Sequence, residues 1–167
     1  MNLEGAAVIV TGSGTGLGAA VAKHLSSKGA KVVINYSRSE AEARATVEEC
    51  EKLGAETLLC RGDVAVDEDC RRMASQTIAK WGRIDGLVNN AGRSKFVNLR
   101  DLEALSADDF LTLCAVNVVG PFQMARAVAP QMKAQGKGAI VNVSSTSGIS
   151  GSGSSIAYAA SKGALNT

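Results

Sequence analysis

A tyrosine and a lysine near the C-terminal end of the sequence could together act as a general acid/base. Tyr158 and Lys162 lie in the stretch YAASKGALNT and are four residues apart, so a helix would place their side chains on one face. A lysine ammonium beside a phenol stabilises the phenolate and lowers a pKa that is about 10 in an unperturbed tyrosine. Such a pair also arises by chance on helix surfaces, so its interpretation depends on the rest of the chain.

A glycine-rich turn near the N-terminus is the second candidate for chemistry. Residues Thr11–Gly18 read TGSGTGLG and follow directly on the apolar run AAVIVT. Glycines between a strand and a helix let the backbone approach a pyrophosphate, which the helix N-terminus stabilises. Two registers are possible, a relaxed G-x-G-x-x-A match from Gly14 and a G-x-x-x-G-x-G match from Gly12. We favour the second register, because it begins where the strand ends. We also favour a nucleotide-binding turn over the alternative, a plain glycine-rich turn.

Short apolar runs alternate with longer amphipathic segments along the whole chain. The runs are continuously apolar, as in strands that are covered on both faces of a parallel sheet. We predict strands at 6–11, 31–36, 56–60, 85–89 and 139–143, and helices at 16–28, 39–53, 67–81, 106–133 (bent at Pro121) and from Ile156 onward. This alternation predicts an α/β fold with a doubly wound, Rossmann-type parallel sheet, in one domain over residues 1–167.

The segment 144–155 has the composition of a flexible linker. It reads SSTSGISGSGSS and joins the fifth predicted strand to the segment that carries Tyr158. In open α/β sheets, ligands bind at the carboxyl ends of the strands. We therefore interpret this segment as a loop of the site rather than as a linker.

Composition and charge exclude several classes of function. A net charge of +2 does not favour nucleic acid as a partner, and no run approaches the ~20 apolar residues that cross a bilayer. The start, MNLE, does not resemble a secretory signal. The four cysteines form no C-x-x-C and accompany no histidine cluster, so we expect free thiols, no metal site and a cytoplasmic location.

The order of these motifs resembles the short-chain dehydrogenase/reductase family, in its main single-domain branch. Thr11–Gly18 matches the family's T-G-x-x-x-G-x-G motif, Asn89–Gly92 its N-N-A-G motif, and Tyr158 with Lys162 its Y-x-x-x-K motif. Family members are commonly longer, so the resemblance implies five strands in the spatial order 3-2-1-4-5 and a fold that is truncated at its C-terminal end. The last strands and the substrate-binding segment of the family are expected to be absent.

The resemblance implies a reaction and a catalytic set of Asn117, Ser145, Tyr158 and Lys162. Hydride would move between carbon 4 of a nicotinamide and a carbonyl carbon, while Tyr158 exchanges a proton with the carbonyl oxygen. Lys162 would lower the phenol's pKa and hold the nicotinamide ribose, and Ser145 would bind the substrate oxygen. Asn117 would hold a water that links Lys162 to solvent. Ser144 should point to the opposite side from Ser145.

The resemblance also implies which residues contact the dinucleotide. Asp63 and Val64, after the third predicted strand, match the position that contacts the adenine ring. The complete expected set is Gly12, Ser13, Thr15, Gly16, Leu17, Gly18, Tyr36, Ser37, Arg38, Asp63, Val64, Asn90, Ala91, Gly92, Tyr158 and Lys162.

The end of the second predicted strand indicates which dinucleotide is used. NAD sites usually place a carboxylate there, whereas this sequence reads NYSR and offers Arg38, whose donors suit a 2′-phosphate. Against this, Thr15 stands where many NADP-dependent relatives carry a basic residue. We expect NADP(H) rather than NAD(H).

The sequence leaves the substrate and the role of the isolated chain open. An acyl thioester, a sugar, a steroid or a simple ketone would each fit, and the full-length protein is expected to be a dimer or tetramer through residues 101–133 and from Ile156 onward. The 167-residue chain alone is expected to be inactive. It is also expected to self-associate through the exposed edge of its fifth strand. The alternative is a non-catalytic nucleotide-binding or interaction fragment.

Overall fold

The computed structural model describes residues 2–167, which form a five-stranded parallel sheet between two layers of helices. The spatial order is β3-β2-β1-β4-β5, and every neighbouring pair is parallel. The strands are β1 (Ala7–Val10), β2 (Lys31–Tyr36), β3 (Thr57–Arg61), β4 (Gly86–Asn89) and β5 (Ala139–Asn142). The doubly wound α/β fold and this strand order are both confirmed.

Seven α-helices and one π-helical segment occur in residues 2–167. They are α1 (Gly16–Ser26), α2 (Glu40–Lys52), α3 (Asp67–Trp81), α4 (Ala107–Cys114), the π-helical segment (Ala115–Val119), α5 (Gly120–Ala134), α6 (Ser147–Ser150) and α7 (Ile156–Asn166). The predicted end of α3 is confirmed, because Gly82 takes the left-handed conformation that closes a helix. Ser106 begins α4 through a capping box with Asp109.

The core has one layer on each face of the sheet. Alternate residues of β1 face opposite layers: Ile9 packs with Met73 and Met124 from α3 and α5, whereas Val8 and Val10 pack with α1 and α2. The two layers bury almost every residue of β1 and β2, which explains why β1 is apolar at every position and β2 is apolar from Val32 to Ile34. β5 is the exception, since all four of its residues are exposed.

The predicted bend in the long helix takes the form of the π-helical segment, immediately before Pro121. A proline has no backbone N–H, so Pro121 cannot donate to the carbonyl of Asn117, four residues earlier. The helix widens there instead, and the N–H of Gly120 reaches the carbonyl of Ala115. Asn117 therefore lies where the sequence itself interrupts the α-helical hydrogen bonding.

The continuous helix Ala107–Ala134 is long and apolar enough to cross a membrane, judged by length and composition alone. Core helices of soluble proteins can be equally long and apolar. Here the helix packs against α3 and α7, and Gln123 donates from within the protein to the carbonyl of Val64 at 2.8 Å. Arg126 forms an ion pair with Asp67 of α3. These contacts identify it as a packed helix of this domain.

The segment 144–155 is not a linker, because α6 forms within it and packs against α7. A Cβ atom at Gly148 would lie 2.6 Å from the carbonyl carbon of Lys162 and 2.8 Å from the nitrogen of Gly163. Only a glycine allows so close an approach of the two backbones. The serine-rich composition conceals this contact, so α6 could not be predicted from the sequence.

Candidate active site

A cleft of about 520 Å³ opens at the carboxyl ends of β1 to β4. Its walls come from the glycine turn, the end of β2, the residues after β3 and the loop after β4. Of the expected dinucleotide contacts, those that line it are Gly12, Thr15, Gly16, Leu17, Tyr36, Ser37, Arg38, Asp63, Val64, Asn90, Ala91 and Gly92. The fold therefore gathers most of the sequence-predicted set into one place.

The glycine turn supports the register that starts at Gly12. Gly12 and Gly16 take positive φ angles of 61° and 57°, whereas Gly14 does not. A Cβ at Gly12 would lie 2.8 Å from the Cα of Ala91, and one at Gly18 would overlap the side chain of Asn90. No atom lies within 4 Å of a Cβ built at Gly16, so the backbone there is open to a ligand.

Four members of the expected contact set do not line the cleft: Tyr158 and Lys162, and, within the glycine turn, Ser13 and Gly18. Ser13 is fully buried, and its hydroxyl donates to the carbonyl of Val10 at 2.7 Å. Gly18 is where α1 meets the loop after β4. Both residues shape the turn from behind rather than from its ligand-facing side, a distinction that the motif alone does not make.

Asn35 is a cleft residue that the sequence reasoning missed. It is 2% exposed, and its side-chain oxygen accepts from the N–H of Gly12 at 2.9 Å. Its amide nitrogen donates to the carbonyls of Gly62 at 3.0 Å and Cys60 at 3.3 Å. One buried side chain thus joins the turn after β1, the end of β2 and the chain after β3. The available signal was a single amide inside the apolar run KVVINY.

The N-N-A-G segment holds the other side of the glycine turn. The side-chain nitrogen of Asn90 donates to the carbonyls of Thr11 and Gly12 at 3.0 and 3.1 Å. The hydroxyl of Thr11 accepts from the backbone N–H groups of Asn90 and Ala91, both at 3.0 Å. Asn90 lines the cleft, but both of its amide hydrogens are used to fix the turn.

Lys162 is buried beside the tyrosine, as the four-residue spacing predicts. Its ammonium lies 5.9 Å from the centre of the Tyr158 ring, within reach of a cation–π interaction. It donates to the carbonyl of Val143, directly after β5, at 2.8 Å. Burial lowers the pKa of Lys162 because the charged form loses hydration.

Asn117 is fully buried next to this pair and is almost fully hydrogen-bonded. Its oxygen accepts from the N–H of Arg93 at 2.8 Å, and its nitrogen donates to the carbonyl of Arg93 and the hydroxyl of Ser161, both at 2.9 Å. A Cβ at Gly92 would lie 3.4 Å from the Asn117 oxygen and 3.8 Å from the Lys162 nitrogen. The end of the cleft at Gly92 therefore adjoins the predicted catalytic residues.

The two serines after β5 have different partners. Ser144 donates to the side chain of Asn166 in α7. Ser145 accepts from the N–H of Ser147 at 3.1 Å, which leaves its own hydroxyl hydrogen free of partners among residues 2–167. Ser155 caps α7 by accepting from the N–H of Tyr158. The loop 144–155 thus fixes the start of the helix that carries the tyrosine.

The β2 end of the cleft is lined by one arginine, Arg38, and the cleft by one carboxylate, Asp63. Arg38 lines the cleft and has no carboxylate within ion-pair distance among residues 2–167. Glu40 is engaged by Arg44 at 2.7 Å, and Asp63 is the one carboxylate among the lining residues. Burial raises the pKa of Tyr36, and the nearby Glu40 carboxylate raises this pKa further. Over residues 2–167, no cluster of three or more His, Cys, Asp or Glu side chains could hold a metal ion.

Comparison with known proteins gives relatives along the whole chain. The sequence profile described as short chain dehydrogenase matches residues 6–167. An uncharacterised oxidoreductase of Thermotoga maritima is 42% identical over 165 residues, which are 99% of this chain and 63% of that protein. A Streptomyces violaceoruber protein assigned as ketoacyl reductase 2 of the granaticin polyketide synthase is 39% identical over 96% of this chain and 63% of its own length.

A solved structure agrees with these relatives. NAD⁺-bound xylitol dehydrogenase superposes with a TM-score of 0.90 at 30% identity, and the match covers 99% of this chain and 62% of that one. The chain thus spans under two thirds of the length of these relatives. Together with the sequence profile, which matches nearly every residue, they show that this chain belongs to the short-chain dehydrogenase family.

Proposed function

We propose that the protein containing this chain is a nicotinamide-dependent oxidoreductase that interconverts a carbonyl and a secondary alcohol. The observation that carries the proposal is that the buried Lys162 ammonium lies near both the Tyr158 ring and Gly92, at the end of the cleft. A cation with no carboxylate beside it is costly to bury. Its position is explained if it acts on the tyrosine and on a ligand.

The residues present fit a dinucleotide. The open backbone at Gly16, at the first turn of α1, suits a pyrophosphate. Asp63 and Val64 line the part of the cleft that we assign to the adenine ring. Bound there, the nicotinamide supplies or accepts the hydride. The remaining steps, which concern proton transfer and orientation, belong to the chain's own side chains.

Tyr158 is the proposed proton donor in reduction and acceptor in oxidation. The Lys162 ammonium lies beside its ring, and one of the three N–H groups of Lys162 is taken by Val143. The other two remain for a ribose hydroxyl or a water. Ser145 keeps a free hydroxyl hydrogen for the substrate oxygen. Asn117 retains one acceptor position on its side-chain oxygen, enough for the proposed water.

We propose NADP(H) as the preferred dinucleotide, because Arg38 has no carboxylate partner at the β2 end of the cleft. The NAD⁺-bound relative shows that the family also uses the other cofactor. The test is a comparison of steady-state kcat/KM for NADPH and NADH, repeated with Arg38→Gln. Equal or better use of NADH by the unmodified protein would reject the preference.

The activity itself is tested with the whole natural protein and a panel of neutral ketones, β-ketoacyl thioesters and sugar carbonyls. Carbonyl-dependent loss of NADPH absorbance, with deuterium passing from labelled NADPH to the new carbinol carbon, is the expected result. Failure of every carbonyl in the presence of measurable NADPH binding would contradict the oxidoreductase proposal.

A second candidate is a nucleotide-binding fragment without catalysis of its own. The exposed β5 and the coverage of under two thirds of the relatives' length favour it for the isolated residues 1–167. The same assay on residues 1–167 and on the longest natural form distinguishes the two. Activity confined to the longer form would assign catalysis to the whole protein and binding alone to the fragment.

We also propose a cytoplasmic homo-oligomer that binds neither membranes nor nucleic acid. The long helix exposes several apolar side chains, namely Leu111, Val119 and Phe122, and Ile156 at the start of α7 is exposed as well. All four cysteines are free thiols, as expected in a reducing compartment. Sedimentation of the full-length protein should show a dimer or tetramer at micromolar concentration, and a monomer alone would contradict the proposal.

A further inference from the structure

Arg93 lines the cleft at the end that adjoins the predicted catalytic residues. It follows Gly92 and, like Arg38 at the opposite end, is exposed at the cleft. Its backbone is fixed on both sides, since the Asn117 amide accepts from its N–H and donates to its carbonyl. The α-carbon of Arg93 is thus held in place by a buried side chain, which distinguishes it from an arginine on a free loop.

The charge of Arg93 has no partner within residues 2–167. The arginines that pair with carboxylates are Arg44, Arg71, Arg72, Arg83 and Arg126. Lys95, two residues further along the same loop, pairs with Asp109. Both arginines that line the cleft, Arg38 and Arg93, lack such a carboxylate. Arg61 and Arg100 also lack one, but neither lines the cleft, so Arg38 and Arg93 are the unpaired arginines that face it.

We propose that Arg93 recognises an oxyanion, a carboxylate or phosphate, at the catalytic end of the cleft. Guanidinium groups bind both anions through paired N–H donors. This inference rests on the proposed function and deepens it, since the anion has two possible sources. It is carried by the carbonyl substrate, which would make that substrate an acidic compound, or it is the phosphate on the nicotinamide side of the dinucleotide.

The experiment compares Arg93→Met with Arg93→Lys in the whole natural protein. Arg100→Met is the matched control, because Arg100 is exposed on the same loop, outside the cleft lining, and has no carboxylate within ion-pair distance among residues 2–167. Calorimetry gives Kd for NADPH, NADH and nicotinamide mononucleotide. Steady-state assays give kcat/KM for three keto acids (pyruvate, acetoacetate and levulinate) and for their neutral methyl esters.

The two sources of the anion give different results. If the substrate carries it, the unmodified protein prefers keto acids to their esters, and Arg93→Met reduces that preference about tenfold while each cofactor Kd is unchanged. If the dinucleotide carries it, Arg93→Met weakens nicotinamide mononucleotide and both dinucleotides by about tenfold. In either case Arg93→Lys should cause a smaller loss than Arg93→Met, because lysine keeps the positive charge but lacks the fork of donors.

The inference is overturned if Arg93→Met changes neither the cofactor affinities nor any preference for keto acids, or if Arg100→Met causes the same losses. The proposed function fails separately. An unmodified protein that binds no nicotinamide compound contradicts the dinucleotide site itself, whereas normal binding and turnover with an unaffected Arg93→Met contradicts the role of Arg93 alone.

Discussion

The strands β1 and β5 read AVIV and AIVN, run in the same direction and both flank β4, yet their burial is opposite. Val8 is the most exposed residue of β1, at 2%, whereas Ile140 and Val141 of β5 are 42% and 54% exposed. The difference lies in what covers each strand. β1 has β2 beside it and helices on both faces, while β5 is an open edge with four exposed residues.

The two proposed tasks of the protein fall on these two unequal regions. The glycine turn and Asn35 belong to the fully covered part, where every side-chain polar group of Asn35 has a partner. Lys162, by contrast, is anchored to the carbonyl of Val143 immediately after the exposed strand. The oxygen of Asn89, at the junction of β4 with β5, is a buried polar atom without a partner in residues 2–167. The proposed cofactor site thus lies beside strands that are covered and fully hydrogen-bonded, whereas the proposed catalytic lysine is attached next to an exposed strand.

The largest expected effect separates these two tasks. In the whole natural protein, Tyr158→Phe should lower kcat by about 10²–10⁴-fold, the usual contribution of a positioned acid/base. The Kd for NADPH should stay nearly unchanged, because the glycine turn and Asn35 are untouched. Stopped-flow or steady-state reduction beside calorimetric binding checks both. Normal turnover with an unaltered pH profile would contradict the assignment of Tyr158.

Two asparagines test the contrast in stability. Asn35→Leu leaves the N–H of Gly12 and the carbonyls of Cys60 and Gly62 unpaired, which should lower the free energy of unfolding by about 3 kcal/mol or more. Asn142→Leu, on the exposed β5, removes one contact to Asn89 and should cost about 1 kcal/mol or less. Urea unfolding measures both, and equal losses would show that the two regions are equally cooperative.

The open edge of β5 should govern self-association of residues 1–167. An exposed apolar strand edge pairs readily with other chains, and a charge on it opposes such pairing. Val141→Lys should therefore shift the chain toward monomer in size-exclusion chromatography with little change in the urea midpoint. Lys52→Ala, a surface change at the end of α2, serves as control. A wild-type chain that is already a stable monomer would contradict this prediction.

The smallest effect concerns the buried lysine and pH. Because burial lowers the pKa of Lys162 in the folded state, the unfolded chain binds that proton more tightly. Stability should accordingly rise with pH up to the ordinary lysine value of 10.5. Measured against Lys162→Met, the free energy of unfolding should increase as the pH rises toward 10.5. A difference that falls or stays constant would contradict the desolvated lysine.

The sequence predicted those features that are encoded locally. The parallel α/β sheet, the glycine turn and the Tyr158–Lys162 pair follow from alternation, from glycine and from helical spacing, whereas the strand order came from the family resemblance. Asn35 and α6 could not be found in this way, because their roles depend on chain segments that are distant in sequence. The exposure of β5 was expected only because no further strand was visible, as the letters AIVN describe an interior strand equally well. Packing partners, rather than composition, decided these cases.

Hydrogen exchange of residues 1–167, with and without NADPH, tests the contrast between the two regions most directly. We expect amides of β1 and β2 to exchange slowest and those of the free edge of β5 to exchange much faster. NADPH should slow exchange further at the turn around Gly12–Gly16 and in the chain after β3. Protection of β5 equal to that of β1 would contradict the contrast between the two strands, and no effect of NADPH on the glycine turn would contradict the proposed dinucleotide site.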